Sequence, residues 1–291
     1  FNLYGGGGCL PPKWGLGFWH RTPLDYTDTE VETEVRGFEE KGYPLDVIGL
    51  EPGWHSSCYP TTCDWHPEAF PNPKAFLSRL LGRGIRVNLW ENCYIHPECD
   101  LGKELEPLSG SHTGSWGGYC PDLSMSEARD AIIAHHTDRH VTPGVSGYKL
   151  DECDDDNWLF PDYAEFPSGI TGEKLHQVYG SLFQRATVDM YRKAGRRTYG
   201  QVRAANAGTV SNPYVIYNDC YDHREYITGL CSGSLSGVLF TPEARNAPTA
   251  EEWLRRIQAT CFSPLAQLNA WASGSKPWDY AEGADEVRST M

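Results

Sequence analysis

The sequence contains no run of about 18 apolar residues, the least that a bilayer-crossing helix needs, so no membrane span is expected. Positive charge is scarce as well. Only 25 Lys and Arg face 39 Asp and Glu, for a net charge of −14, and without a basic patch neither nucleic acid nor an anionic membrane surface is a natural partner. Also missing is a Gly-x-Gly-x-x-Gly turn opening a helix after the first apolar run, which argues against a doubly wound dinucleotide-binding sheet. There is no internal repeat, low-complexity tract or interdomain linker. The chain begins Phe-Asn-Leu-Tyr without Met or a signal-peptide pattern, as expected of a piece excised from a longer multidomain chain. Residues 282 to 291 read as the start of a helix cut short. Ten cysteines in 291 residues are too few for a disulfide scaffold. Several (Cys93, Cys153, Cys220, Cys231, Cys261) lie in or beside apolar segments, where a free thiol acts as a small hydrophobe; this usage leans toward a reducing, cytoplasmic compartment.

What is present is an alternation. Short apolar, β-branched or aromatic runs occur at 16 to 20, 45 to 51, 85 to 91, 146 to 151, 198 to 203, 214 to 219, 235 to 240 and 265 to 271. Stretches with helical spacing of apolar residues lie between them at 28 to 41, 73 to 83, 124 to 140, 171 to 194, 222 to 233 and 249 to 261. The link from 204 to 213 has no helical pattern. Eight strands too apolar for a sheet with one wet face, with helices between them, predict a single α/β domain over 1 to 291: a closed parallel (β/α)8 TIM barrel. The loops after strands two (52 to 72), three (92 to 123) and four (152 to 170) are long and rich in Gly, Pro, Trp and Cys, as the catalytic face of such a barrel requires.

That face is predicted to gather His20, Glu51, Glu91, Asp151, Arg203, Asp219, Glu243 and Trp271, each at or just past the end of a run. Asp151 and Asp219 close Tyr-Lys-Leu-Asp and Tyr-Asn-Asp, and two carboxyl groups at one barrel mouth are the minimal equipment for splitting a glycosidic bond. Trp54, Trp90, Tyr94 and Trp271 are candidate walls of a sugar pocket, with core packing the alternative for each. Glu51, Glu91 and Glu243 are candidate acceptors from sugar hydroxyls. Lys149, two residues before Asp151, shares its face of the strand; it either favours an ionised Asp151 or pairs with another inward carboxylate. Asp222 and His223 open the helix after strand six, where Asp222 also suits an N-cap. The cluster His55-x2-Cys58-x4-Cys63-x2-His66 has zinc-ligand residue types. Its spacing matches no common zinc module, and Trp54, Tyr59, Pro60, Trp65 and Pro67 make it read as a rigid loop, so no metal is assigned.

The segments Gly-Phe-Trp-His (17 to 20), Tyr-Pro-Leu-Asp-Val-Ile-Gly-Leu-Glu (43 to 51), Asp-Trp-His-Pro-Glu-Ala-Phe-Pro-Asn-Pro (64 to 73) and Tyr-Lys-Leu-Asp (148 to 151) form a combination with four others. Those are Asn-Asp-Cys-Tyr (218 to 221), Leu-Ser-Gly-Val-Leu-Phe (235 to 240), Ser-Pro-Leu-Ala-Gln-Leu-Asn-Ala-Trp (263 to 271) and the Arg203 strand end. Together they resemble the catalytic barrel of glycoside hydrolase family 31 nearly end to end. The resemblance implies a retaining α-glycosidase without a cofactor, in which Asp151 is the nucleophile, Asp219 the general acid/base and Arg203 a ligand of a sugar hydroxyl. Many α-glucosidases of the family carry Asp where this chain has Glu51, and Asp-His-Arg-Glu-Tyr (222 to 226) is also unusual for them. These departures look more similar to the α-galactosidase-like and α-N-acetylgalactosaminidase-like branch, which makes α-galactosides or α-N-acetylgalactosaminides the expected substrates. An α-glucosidase, an α-xylosidase or a transglycosidase of the same family is the alternative; a non-catalytic sugar-binding barrel and a metal-dependent barrel enzyme are remoter ones.

Overall fold

A computed structural model describes residues 3–153, 159–219 and 222–291; Cys220 and Tyr221, named above, lie outside the described residues. Eight strands form one parallel sheet: β1 (Phe18–Arg21), β2 (Val47–Leu50), β3 (Arg86–Glu91), β4 (Gly147–Leu150), β5 (Gly200–Val202), β6 (Tyr214–Asn218), β7 (Phe240–Pro242) and β8 (Ala266–Asn269). Neighbours in sequence are neighbours in space, and β1 pairs with β8, with Phe18 beside Ala266. The ring closes just beyond β7, where Ala244 bridges Leu268 and its carbonyl accepts from Asn269 N at 2.8 Å. The result is a nearly closed (β/α)8 barrel.

Local chemistry sets the helices. In α1 (Asp28–Lys41), Thr27 and Glu30 form a reciprocal capping box and Gly42 ends the helix at φ 70°, a left-handed conformation that glycine adopts without strain. Val31, Glu34, Val35 and Phe38 form its buried stripe. Asn72 caps α2 (Pro73–Gly82), which has proline at its first position, and Thr249 caps α8 (Ala250–Cys261). The other helices are α3 (Asp100–Leu105), α4 (Ser126–His136), α5 (Gly172–His176), α6 (Tyr179–Lys193), α7 (His223–Ser236) and α9 (Ala284–Thr290). The expected helix over 171 to 194 is thus two, and α4 continues into a wider turn over Thr137–Val141. The expected strand over 235 to 240 is a correction. Leu235 and Ser236 finish α7, which Gly237 terminates at φ 74°, and Leu235 is 90% exposed where a barrel strand would bury it.

Strand alternation divides the core. Trp19, Val47, Tyr199, Val215 and Leu265 pack together as an inner floor. Ile48, Leu50, Val87, Leu89, Tyr148 and Leu150 face outward into the layer shared with helices. Inward side chains therefore carry odd numbers on β1, β2 and β4, but on β3, where Trp90 lies beside Lys149, they carry even ones.

Candidate active site

Above the inner floor the barrel carries charge. Lys149 Nζ lies 3.0 Å from Glu243 Oε1 and 3.8 Å from Glu51 Oε1, and 4.5 Å above the Tyr217 ring. Glu51 also accepts from Arg21 Nε, whose Nη1 donates to Asn88 Oδ1 at 2.7 Å; Asn269 Nδ2 donates to Glu243 Oε2 at 2.6 Å. Burial works against the Lys149 ammonium, but Glu243 and Glu51 outweigh it and hold its pKa above the usual lysine value. The ion-pair reading of Lys149 is the one this geometry carries. Replacing only the cation, as in Lys149→Met, leaves the buried Glu243 carboxylate without a cation beside it and should cost about 3–5 kcal/mol of stability. Urea unfolding measures this, and a loss below about 1 kcal/mol would mean that water already reaches the pair.

The mouth holds the two aspartates. Trp90 Nε1 donates to Asp151 Oδ2 at 2.8 Å and the Glu152 amide donates to Oδ1 at 2.9 Å. Glu152 has φ 58°, an uncommon value for a residue with a side chain. Arg203 Nη1 stands 2.8 Å from Asp219 Oδ2 and 3.7 Å from Asp151 Oδ1, so a single guanidinium nitrogen spans the pair. Arg245 Nη2 is 3.8 Å from Asp219 Oδ1, and its guanidinium lies 4.7 Å over the Trp271 ring. The Asp151 side chain is 10% exposed and that of Asp219 49%, so one carboxylate is held in the barrel throat while the other meets solvent at the rim. Tyr217, whose hydroxyl proton is held by burial and by the nearby charges of Asp151 and Glu243, has its ring 4.5 Å from Lys149 Nζ and 5.6 Å from the Arg203 guanidinium.

Asp151, Asp219, Arg203, Trp90, Glu51, Lys149, Glu243 and Trp271 thus gather at the strand ends at one mouth of the barrel. The structure does not bring the remaining candidates into it. Glu91 follows inward Trp90 and so turns outward, where its carboxylate meets Cys63 and His136. His20 likewise faces the helices, 2.8 Å from Glu34 on α1. Trp54 is buried against Trp65 and His140 and donates to the Trp90 carbonyl, making it core rather than pocket wall. Tyr94 is fully buried too, its hydroxyl donating to the Glu152 carbonyl at 2.8 Å, so it supports the turn after Asp151 from behind. Asp222 caps α7 by accepting from the amides of Arg224 and Glu225. His223 lines an apolar groove between α7 and α8 together with Ile227, Leu230 and Phe262, away from the strand-end carboxylates.

Sequence reading missed Arg21, Asn88, Tyr217, Arg245 and Asn269, and also Tyr59, whose ring sits 5.5 Å from that of Trp90. Period two would have found most of these, since Arg21 and Asn269 lie two residues from Trp19 and Gln267 on the same face. The four residues His55, Cys58, Cys63 and His66 do not converge. His66 Nδ1 is turned back to accept from the amides of Glu68 and Ala69, both at 3.3 Å. Among the described residues, the metal-ligand types that do converge are Cys63, Glu91 and His136. All nine described cysteines are free thiols.

A parallel barrel with carboxylates, arginines and indoles gathered past its strand ends defines a glycosidase-like catalytic domain. The profile of the Glycosyl hydrolases family 31 TIM-barrel domain matches residues 8–291, and the chain belongs to that family. Alpha-glucosidase 2 of Bacillus thermoamyloliquefaciens is 40% identical over 323 residues, covering 96% of this chain and 39% of that protein. Alpha-xylosidase XylQ of Lactiplantibacillus pentosus is 36% identical over 306 residues, covering 95% of this chain and 39% of that protein. The chain therefore spans about two fifths of each relative's length. A cycloalternan-degrading enzyme from Trueperella pyogenes, solved with a covalent intermediate, superposes with a TM-score of 0.81 at 19% identity, over 99% of this chain and 47% of that one. The expected α-galactosidase-like branch finds no support among these relatives, which bear α-glucosidase and α-xylosidase names. Glu51, one of the two departures behind that expectation, is engaged by Arg21 and Lys149.

Proposed function

We propose that this chain is the catalytic barrel of a retaining α-glycoside hydrolase. Its substrates are pyranosides with the hydroxyl configuration that α-D-xylosides and α-D-glucosides share at C2, C3 and C4. The observation that carries this reading is the Asp151/Asp219 pair spanned by Arg203 at the barrel mouth; the names of the relatives support the sugar class.

In this reading the Asp151 carboxylate attacks the anomeric carbon while Asp219 gives its proton to the departing oxygen, breaking the C1–O bond and forming a glycosyl ester on Asp151. Asp219, now ionised, takes a proton from water, whose oxygen attacks C1 from the opposite face and frees Asp151. The Trp90 indole and the Glu152 amide fix both Asp151 oxygens, so little motion is needed to aim the nucleophile. Arg203, 3.7 Å from Asp151 Oδ1, is placed to donate to a sugar hydroxyl bound between the two aspartates. Trp271 and Tyr59 are the apolar faces available to a sugar ring at the rim.

Hydrolysis of a panel of aryl α-glycosides by the full-length protein tests the sugar class. The xyloside or the glucoside should be cleaved at least about tenfold faster than the galactoside and the N-acetylgalactosaminide, about 1.4 kcal/mol of transition-state discrimination. A faster galactoside would overturn this assignment.

A further inference from the structure

Behind Trp90, on the outer side of β3, four buried side chains from three elements point at one another. His55 and Cys63 come from the loop after β2, Glu91 from the outward end of β3, and His136 from the last turn of α4; all are at most 3% exposed. Cys63 Sγ is 3.0 Å from Glu91 Oε1, His136 Nε2 is 3.3 Å from Glu91 Oε2, and His55 Nε2 is 4.0 Å from Glu91 Oε1. The ligand atoms of Cys63, Glu91 and His136 all fall within 4.8 Å of one another. Around a tetrahedral zinc ion, with bonds of about 2.0–2.3 Å, ligand atoms stand about 3.3–3.8 Å apart. The cluster is within small side-chain adjustments of that geometry.

Two further observations point to a cation. First, His55 Nδ1 lies 2.9 Å from the Pro52 carbonyl, which can only accept, so Nδ1 carries a proton and Nε2, the atom that would be the ligand in the neutral ring, faces the cluster. That Nε2 is buried without a hydrogen-bond partner. A carbonyl contact of this kind to the other ring nitrogen is how proteins orient metal-ligating imidazoles. Second, the ion-pair partners found for Glu91 among the described residues are histidines alone, with no Lys or Arg, although leaving a carboxylate in the interior without a lasting cation is costly. A divalent ion bound to the Glu91 carboxylate and a Cys63 thiolate makes the site neutral overall, with both imidazoles uncharged.

We propose that Cys63, Glu91, His136 and His55 form a structural site for a divalent transition metal, of which zinc best suits one sulfur, two nitrogens and one carboxylate oxygen. Binding forms the metal–sulfur bond as the Cys63 S–H proton leaves to solvent. The site is closed and lies on the opposite face of β3 from the sugar cleft, with the His55 ring 5.8 Å from that of Trp90, so its role is to pin the loop that carries Tyr59 to β3 and α4. His140 already steadies that loop through the Cys63 carbonyl, 2.9 Å from its Nε2. The inference stands independently of the glycosidase assignment, since no step of that chemistry passes through these residues.

The experiment is metal analysis of the full-length protein, purified without chelators and dialysed against zinc or cobalt(II). About one zinc per chain is expected, with a lower Tm after chelator treatment that added zinc restores. The cobalt form should show a near-ultraviolet sulfur-to-cobalt charge-transfer band, absent from Cys63→Ala. X-ray absorption of the zinc-loaded wild-type protein needs no variant and should show one sulfur among nitrogen and oxygen neighbours. A folded protein that retains no stoichiometric zinc or cobalt overturns the proposal, as does a bound metal with an all-nitrogen/oxygen shell or a charge-transfer band that survives Cys63→Ala.

Discussion

Asp151→Asn should lose turnover by at least about 10³-fold, a deficit of about 4 kcal/mol in transition-state stabilisation, while keeping its fold. Asparagine is nearly isosteric and retains an oxygen to accept from the Trp90 indole or the Glu152 amide, but its neutral amide cannot form the glycosyl ester. The shorter Asp151→Ala adds a stereochemical readout. Azide entering the space left by the carboxylate should convert an activated α-glycoside into the β-glycosyl azide, inverted because the missing nucleophile approached from that face. Thermal unfolding and circular dichroism establish that the variants are folded. Near-normal turnover in folded Asp151→Asn would remove Asp151 from the chemistry.

Asp219→Ala should discriminate between leaving groups. A natural disaccharide departs as a poor alkoxide and needs the proton, so its hydrolysis should fall by about 10²–10⁴-fold, the usual contribution of a general acid. An aryl glycoside with a strongly acidic phenol needs little help in the first step. With that substrate the glycosyl ester should accumulate, because no base remains to activate water, and azide should relieve the block by giving the α-glycosyl azide, the configuration opposite to that from Asp151→Ala. Equal losses on both substrate types, without an azide effect, would place the acid elsewhere. Asp222 is poorly placed to substitute, since its side chain is held by the amides of Arg224 and Glu225.

Much of the barrel was legible in the sequence because its determinants are local. Thr27 with Glu30, Asn72 with Pro73, and Gly42 mark helix ends by capping chemistry that acts within a few residues. Eight apolar runs separated by such helices leave few topologies open. The seventh strand was misplaced because Leu235, Val238, Leu239 and Phe240 form one apolar run, and composition alone does not show that Gly237 divides it between a helix and a strand.

The sequence by itself determined the class of fold and the strand-end positions of Asp151 and Asp219, since alternation of strands with helices and the sequence of each strand end are properties of contiguous residues. Only the tertiary structure decided which side chains share a space. Trp90 and Glu91 are adjacent in sequence yet face opposite sides of β3, one holding Asp151 and the other buried with Cys63 and His136. Likewise, Glu51 becomes part of a charge network rather than a free sugar ligand because Arg21 and Lys149, remote in sequence, arrive beside it through barrel closure. The physical reason is that period two orients each strand internally, but the pairing of β3 with β4 sets which of its two faces looks into the barrel.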